Sequence, residues 1–515
     1  MRNPPGDTAL NARRRSRELT ALGDGESIDL LVVGGGVTGA GIALDAASRG
    51  LRTVLVERRD LAWGTSRWSS KLVHGGLRYL SSGNVGIAHE SAVERGILLA
   101  RTAPHLVRPV PQVVPVLADT GMYQRNLIRA GFLAGDVLRR SAGTSAALLP
   151  RSRRVSAAEV TRLAPTVRRQ DLRGGLVAWD GQLVDDARLV VTIARTAAGY
   201  GAKILTRVAA SDVTGSSATL TDELTGEQLS VRARTVINAT GVWAAEVDSS
   251  IALRPSRGTH LVFSAEAFGG LNASLTVPVP GTTSRFVFAF PAAHGRVYLG
   301  LTDEEADRDV PDVPQATPGE IDFLLDTINT VLREPLRHSD IRGTFAGLRP
   351  LLDTGSAATA DLSRQHAIRI SDNGLITVVG GKLTTYRQMA EEAVDAAVAH
   401  GSLIAQPCRS RDLPLAGAGS AAELDAVPAP TRLIHRYGTD ASSVLAVSDT
   451  SLLRPVADGI DVSRAEFSFA MSHEGALDAD DLLDRRSRIG LVAADRERAL
   501  PAAREAVERN CANES

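Results

Sequence analysis

"IDLLVVGGGVTGAGIALDAASRGLRTVLVE", residues 28–57, is the stretch whose reading decides the fold. The apolar run 28–33 reads as a strand. Gly34, Gly36 and Gly39 follow at once and fit G-x-G-x-x-G. Ile42, Ala43, Ala46 and Ala47 then recur at helical spacing, and Gly50 stops the helix. A second strand, "RTVLVE", ends on Glu57, about 20 residues past the glycines. Strand, glycine turn, helix, strand and acidic residue in this order make a dinucleotide-binding unit. The glycines let backbone approach a pyrophosphate at a helix N-terminus, and the carboxylate accepts ribose hydroxyls. The unit alone does not choose between NAD and FAD.

Two distant segments extend the same layer. "TVINATGVWA" (235–244) is a strand running into Ala239 and Gly241. "ITVVGGKLTTYRQMAEEAVDAAVAH" (376–400) is a strand, a glycine turn and a helix. Met389, Ala390, Ala393, Val394, Ala397 and Val398 form one face of that helix. The nucleotide layer is therefore discontinuous: about 28–105, 195–248 and 342–402. Between its pieces, "HLVFSA", "RFVFAFPA" and "RVYLGLTD" read as strands of an inserted, mainly antiparallel domain. "TPGEIDFLLDTINTVL" reads as a helix capped by Thr317, with Pro318 at its first position. From 408 to 515 the pattern is helical. The expected class is α/β, with a Rossmann-like layer, an inserted domain and a C-terminal helical domain. Residues 1–27 lack an apolar core. They read as a disordered arm and not as a secretory signal.

Composition narrows the function. The 515 residues are 43% hydrophobic and 23% charged, with a net charge of −1, so nothing points to nucleic acid. Cys408 and Cys511 form no CxxC pair, which suits a reducing compartment and no thiolate metal site. No apolar run is long enough to cross a membrane. The segment 122–141, wound as a helix, puts Arg125, Arg129, Asp136, Arg139 and Arg140 on one arc. Tyr123, Leu127, Leu133, Val137 and Leu138 lie opposite. Such a helix either packs on its own domain or lies on anionic lipid.

An interrupted nucleotide layer whose last strand returns near residue 380 resembles the FAD-binding half of the D-amino-acid-oxidase superfamily. Within it, "TSRWSSKLVHGGLRYL", "VDDARLV", "RGTHLVF", "AGLRPLL", "SRQH" and "GGKLTTYRQMAE" occur in the order found in FAD-dependent glycerol-3-phosphate dehydrogenases. "DADDLLDRRSRIGL" (478–491) looks like that family's C-terminal helical domain. The resemblance implies FAD as cofactor. It places Thr65, Ser66, Ser70 and Lys71 along the flavin, and Val208, Ala239, Gly241, Gly381 and Leu383 also on the cofactor. His74, Arg78, Tyr79, Arg349, Arg364 and Thr384 then face the substrate. "SRQH" departs from the family in having Gln365 where many relatives carry an acid, which bears on the hydrogen bonding of Arg364.

The chemistry asks for the same residue types. Oxidising a secondary alcohol needs a base for the hydroxyl proton and clamps for the rest of the substrate. A substrate phosphate calls for guanidinium forks. Arg349 sits in an apolar stretch and must meet an anion or a carboxylate, and Arg285 is a further candidate. His260 and His74 compete for the base. Lys382, before a helix N-terminus, is placed to stabilise negative charge on the flavin. The implied reaction is oxidation of sn-glycerol 3-phosphate to dihydroxyacetone phosphate, with quinone as acceptor. The implied location is the inner face of the plasma membrane. An oxidase using oxygen, an amine or amino-acid oxidase on the same scaffold, and a flavin-binding scaffold without turnover are the alternatives. A homodimer stands open.

Overall fold

The structure is a computed structural model that describes residues 6–76, 79, 83–282, 285–307, 309–353 and 365–514. Its first layer is a sheet whose main path runs His366–Ile370, Ile376–Gly380, Gln228–Asn238, Ile28–Val33, Thr53–Glu57, Lys203–Thr206. All neighbours on this path are parallel except the first pair. Ile28–Val33 is buried along its whole length, as a strand covered on both faces must be. Helices Val37–Ser48, Asp186–Gly199 and Tyr386–Gly401 cover one face. Leu30, Val32, Ile42, Ala46, Leu189, Ile193, Met389 and Val394 share one core there. A Cβ at Gly41 would lie 2.9 Å from the Tyr386 ring, so the helices 37–48 and 386–401 touch through glycine.

The second sheet is mainly antiparallel and holds Ser256–Ser264, Phe286–Ala292 and Arg296–Gly300, the three strands expected there. Helix Pro318–Asn329 has the expected Thr317 cap, completed by Glu320 as a capping box. The C-terminal helices dock through buried ion pairs, among them Arg188–Glu474 at 2.6 Å.

Three expectations change. The described part of the expected disordered arm, residues 6–27, is ordered: Ala12–Gly23 is a helix capped by Asn11. Its Leu22 joins the core on the other face of the first sheet. Its Arg15 donates to the Thr206 carbonyl (2.7 Å) and pairs with Asp222. The anchor is an arginine, which apolar periodicity does not reveal. The domain boundaries also move. Helix Asp186–Gly199 packs on the first layer, ahead of residue 195. Leu72–Val73 and Gly343–Arg349 pair into the second sheet, although they fall inside the pieces 28–105 and 342–402. Helix Met122–Ser141 forms as expected, but its two arcs do not divide into a solvent face and a packed face: Arg125 and Arg140 are exposed, while Leu138 of the apolar arc is buried. Arg139 is buried and donates to the Thr144 carbonyl, and Arg129 donates to Ser152 Oγ (2.9 Å). Tyr123 and Val137 are instead 76% and 69% exposed.

The N-terminal anchor is testable. Arg15→Ala leaves Asp222 without its partner and should cost about 3 kcal/mol, as for a broken buried pair. Arg17→Ala, on the exposed side of the same helix, should leave thermal unfolding unchanged. Equal melting of the two variants would return this segment to a loosely held arm.

Candidate functional site

The strand Ile28–Val33 delivers its chain into a cradle that admits no side chains. Gly34 has φ +114°, and a Cβ there would lie 2.6 Å from the Ala239 carbonyl oxygen. A Cβ on Gly39 would lie 1.9 Å from the Gly34 oxygen. Gly36 caps helix Val37–Ser48 without a side chain, so the positive helix end faces the cavity. Ser66 Oγ accepts from the Val37 amide at 2.9 Å and ties the following strap to that helix start. Glu57 accepts from the amides of Gly35 (2.7 Å) and Arg59 (2.8 Å). Burial raises its pKa, and the two amide donors oppose that rise. An open helix N-terminus, a glycine cradle and a carboxylate on the next strand fit the pyrophosphate and ribose of a dinucleotide.

The cradle opens into a cavity of about 1350 Å³. Ligand pockets commonly measure about 300–1,000 Å³, so there is room for a cofactor and a second molecule. Gly34, Gly36, Glu57, Thr65, Ser66, Ser70, Val208, Ala239, Gly241, Gly381 and Leu383 line it. His74, Tyr79, His260, Arg349, Lys382, Thr384 and Arg285 line the same cavity. Gly39 lies beneath the floor, against Gly34. Lys71, also expected on the cofactor, turns away from the cavity. Its Nζ turns into the protein, 3.1 Å from Asp186 and 4.2 Å from the Phe345 ring centroid. Burial pushes its pKa down to about 8. The left-handed φ of +53° at Lys71 directs this side chain away from its neighbours Ser70 and Leu72, which do reach the cavity. Arg78 and Arg364 lie outside the described residues.

His260 comes from strand Ser256–Ser264 and is 2% exposed. Its ring stacks on Phe345 at 4.7 Å, and Nε2 lies 3.0 Å from Ser70 Oγ. A Cβ on Gly300 would lie 2.2 Å from the ring, so only glycine fits opposite it. Burial, then the charges of Lys71 and Arg349, hold its pKa well below the usual imidazole value. The imidazole is therefore neutral. Arg349 ends the strand paired to His260's own, in register with Ser256. It donates to Ser256 Oγ (3.1 Å) and the Thr302 carbonyl (3.3 Å), and lies 3.4 Å from Asp303. The carboxylate expected for an arginine in this apolar stretch is thus Asp303. Lys382 follows strand Ile376–Gly380. Its Nζ donates to Ser91 Oγ (2.7 Å) and sits 3.9 Å from the Tyr79 ring centroid.

Sequence reasoning missed Asp180, which accepts from the Gly75 amide (3.1 Å) and pairs with Arg95 (2.7 Å). It fixes the start of the loop that carries His74. The signal was an aspartate inside an otherwise apolar strand, "VAWDGQL". Trp63 and Trp68, at the two ends of the Thr65–Arg67 strap, also line the cavity and were not singled out. Neither was the far wall, where Tyr123, Leu127, Ile128 and Phe132 of helix Met122–Ser141 meet Phe286 and Phe288.

Comparison with known proteins agrees with this geometry. Residues 29–387 match the family described as FAD dependent oxidoreductase, and residues 408–512 match the C-terminal domain of alpha-glycerophosphate oxidase. The chain is 59% identical to glycerol-3-phosphate dehydrogenase 1 of Mycobacterium tuberculosis, covering 98% of this chain and 99% of that one. It is 33% identical to the mitochondrial glycerol-3-phosphate dehydrogenase SDP6 of Arabidopsis thaliana, covering 96% and 85%. The solved glycerol-3-phosphate dehydrogenase of Bacillus halodurans, complexed with FAD, superposes with a TM-score of 0.72 at 28% identity, over 96% and 94% of the two chains. The glycine cradle, the carboxylate on the second strand and the full-length match have one explanation: the chain belongs to the FAD-dependent oxidoreductase family, uses FAD, and carries a C-terminal domain of the alpha-glycerophosphate oxidase type.

Proposed function

We propose that the protein oxidises sn-glycerol 3-phosphate to dihydroxyacetone phosphate and passes the electrons to a quinone. The observation that carries this reading is a neutral imidazole, His260, and a guanidinium, Arg349, on adjacent strands of one cavity continuous with the FAD cradle. Bound FAD supplies the hydride acceptor. His260 takes the hydroxyl proton, and His74 on the same cavity wall is the alternative base. Arg349 clamps the phosphate, with Arg78 and Arg364 assigned to it by resemblance. Tyr79 and Thr384 complete the substrate wall. Lys382 brings positive charge to the cavity, where negative charge gathers during reduction. The relatives at 59% and 33% identity carry the same substrate in their names, which supports the assignment.

The membrane-facing part of the proposal rests on helix Met122–Ser141. Among the described residues, no helix is long and apolar enough to cross a membrane. This helix instead exposes Met122, Tyr123, Leu127, Leu133 and Val137, with Arg125 and Arg140 also exposed. Tyr123 and Leu127 also line the cavity, so the apolar face adjoins its mouth. An apolar face flanked by cations suits the inner surface of the plasma membrane, from which a quinone would reach the mouth.

Anaerobic addition of glycerol 3-phosphate should bleach the flavin band, and a quinone should restore it faster than air does. Arg349→Ala should shift the titration by about 2–5 kcal/mol in substrate affinity while FAD stays bound. A flavin that is not bleached overturns the substrate assignment, and faster recovery in air turns the reading to an oxidase.

His260→Ala should slow single-turnover flavin reduction about 10²–10⁴-fold if it is the base, and His74→Ala should not. Because the His260 pKa is depressed, the neutral form persists as pH falls. The wild-type rate should stay level through pH 6.5, the usual imidazole value, and fall only below it. A limb centred at or above that value, lost in His74→Ala, would make His74 the base.

Leu133→Asp with Val137→Asp should abolish co-sedimentation with anionic liposomes while soluble-dye activity persists. Arg125→Gln with Arg140→Gln should weaken binding by about 1 kcal/mol per charge and only at low salt. Unchanged binding by the aspartate variant would place any lipid contact elsewhere.

A further inference from the structure

The strap 63–68 forms one wall of the cavity through Trp63, Gly64, Thr65, Ser66 and Trp68. Behind it lies Arg67, 3% exposed, with its guanidinium 4.7 Å from the Trp63 ring centroid and 4.3 Å from that of Trp68. Among the described residues, Arg67 has no carboxylate within ion-pair distance. Its side chain is held by the two indoles and by its own bond to the Trp63 carbonyl (2.8 Å). Two further guanidinium groups reach the same rings from more than 400 residues away. Arg485 lies 5.0 Å from the Trp63 centroid, and Arg488 lies 5.1 Å from that of Trp68. Arginine and tryptophan alternate in the order 485, 63, 67, 68, 488.

The C-terminal segment also holds both ends of the strap, through a side chain ahead of it and a backbone carbonyl near its end. Arg485 and Arg486 pair with the fully buried Asp60, just before it, at 2.5 and 2.7 Å. Arg488 donates to the Arg67 carbonyl at 2.5 Å and pairs with Asp185 at 3.2 Å. Arg488 does so at φ +62°, a left-handed conformation that glycine adopts more cheaply. An arginine kept at such a position is there for its side chain. Apolar residues would suffice for mere packing, without bringing three buried guanidinium groups together. Here the contact is made of cations on rings that also line the cofactor cavity.

We propose that the segment 478–491 is a clamp on the cofactor, in which Arg485 and Arg488 are positioning residues that hold Trp63 and Trp68 in the shape that receives FAD. The C-terminal domain thereby governs retention of FAD without touching it. The inference is independent of which alcohol is oxidised. Arg67 meets repulsion from Arg485 and Arg488; burial first and these two charges next push its pKa down to about 9, against the pull of Asp484 and Asp60. The indole rings offset that repulsion, and they are thereby fixed in place.

The test uses the full-length holoenzyme. Arg488→Lys keeps a cation for Asp185 but loses the planar group over Trp68 and the fork to the Arg67 carbonyl. FAD release after dilution, read as recovered flavin fluorescence, should accelerate about tenfold, the scale of one desolvated cation–π contact. The apoprotein should melt somewhat lower, because the buried Arg67 carbonyl loses its donor, and excess FAD should still restore the rate of turnover. Placed in a Trp68→Leu background, Arg488→Lys should add little, because the ring it acts through is gone. Arg485→Lys, which leaves Arg486 on Asp60 and Arg207 on Asp481, should give the same pattern through Trp63 and serves if the first variant does not fold. FAD release at the wild-type rate from a folded variant, or an undiminished effect without Trp68, overturns the clamp.

Discussion

The structure depends on one close approach of backbone to backbone. At the end of strand Ile28–Val33, Gly34 meets the Ala239 carbonyl and Gly39 meets Gly34 itself. No side chain fits at either place. This contact lets the strand end, the helix N-terminus and the neighbouring strand end converge on one point. The third parallel strand, Ile376–Gly380, ends beside them in Gly380 and Gly381, again with positive φ. Three glycine turns at the carboxyl ends of adjacent parallel strands make the crevice in which such sheets bind their ligands.

The second sheet supplies what the first cannot. Its antiparallel pairing puts Ser256 opposite Arg349 and His260 opposite Phe345. A guanidinium and a neutral imidazole therefore face one cavity at a separation set by strand geometry. Burial accounts for the state of each group. It strips the proton from His260 and draws Arg349 to Asp303. It also forces Lys71 into its pairing with Asp186, away from the cavity. A charge enclosed without a partner is too costly to persist, so Lys71 and Arg349 pair with carboxylates and Lys382 lies over the Tyr79 ring.

The same rule explains the C-terminal domain. Its attachment is built from buried arginines: Arg188 on Glu474, Arg296 on Asp495, and Arg485 with Arg486 on Asp60. Such pairs contribute little net stability against apolar packing, but breaking one is costly. They therefore fix a single docked geometry. That geometry reaches the strap beneath the cofactor through Trp63 and Trp68.

The glycine fingerprint, Glu57, the three parallel strands with their turns and the capped helix at 318 were legible in the sequence. Each is written in local spacing, and the steric demand of a turn or the period of a helix acts over a few residues. Most residues named for the cavity do line it, because they lie on those same turns or on strands that resemblance had already ordered. What the tertiary structure decided is the direction in which side chains face. Ala12–Gly23 is a helix because Arg15 finds carbonyls at 206 and 207 and a carboxylate at 222. Lys71 leaves the cavity because Asp186 lies beneath it, and Tyr123, Leu133 and Val137 of Met122–Ser141 face outward while Arg129 and Arg139 find partners inside. Asp180, Trp63 and Trp68 carry no period and no motif. Amphipathic and titratable side chains take their direction from partners distant in the chain, and only the folded protein brings those partners within reach.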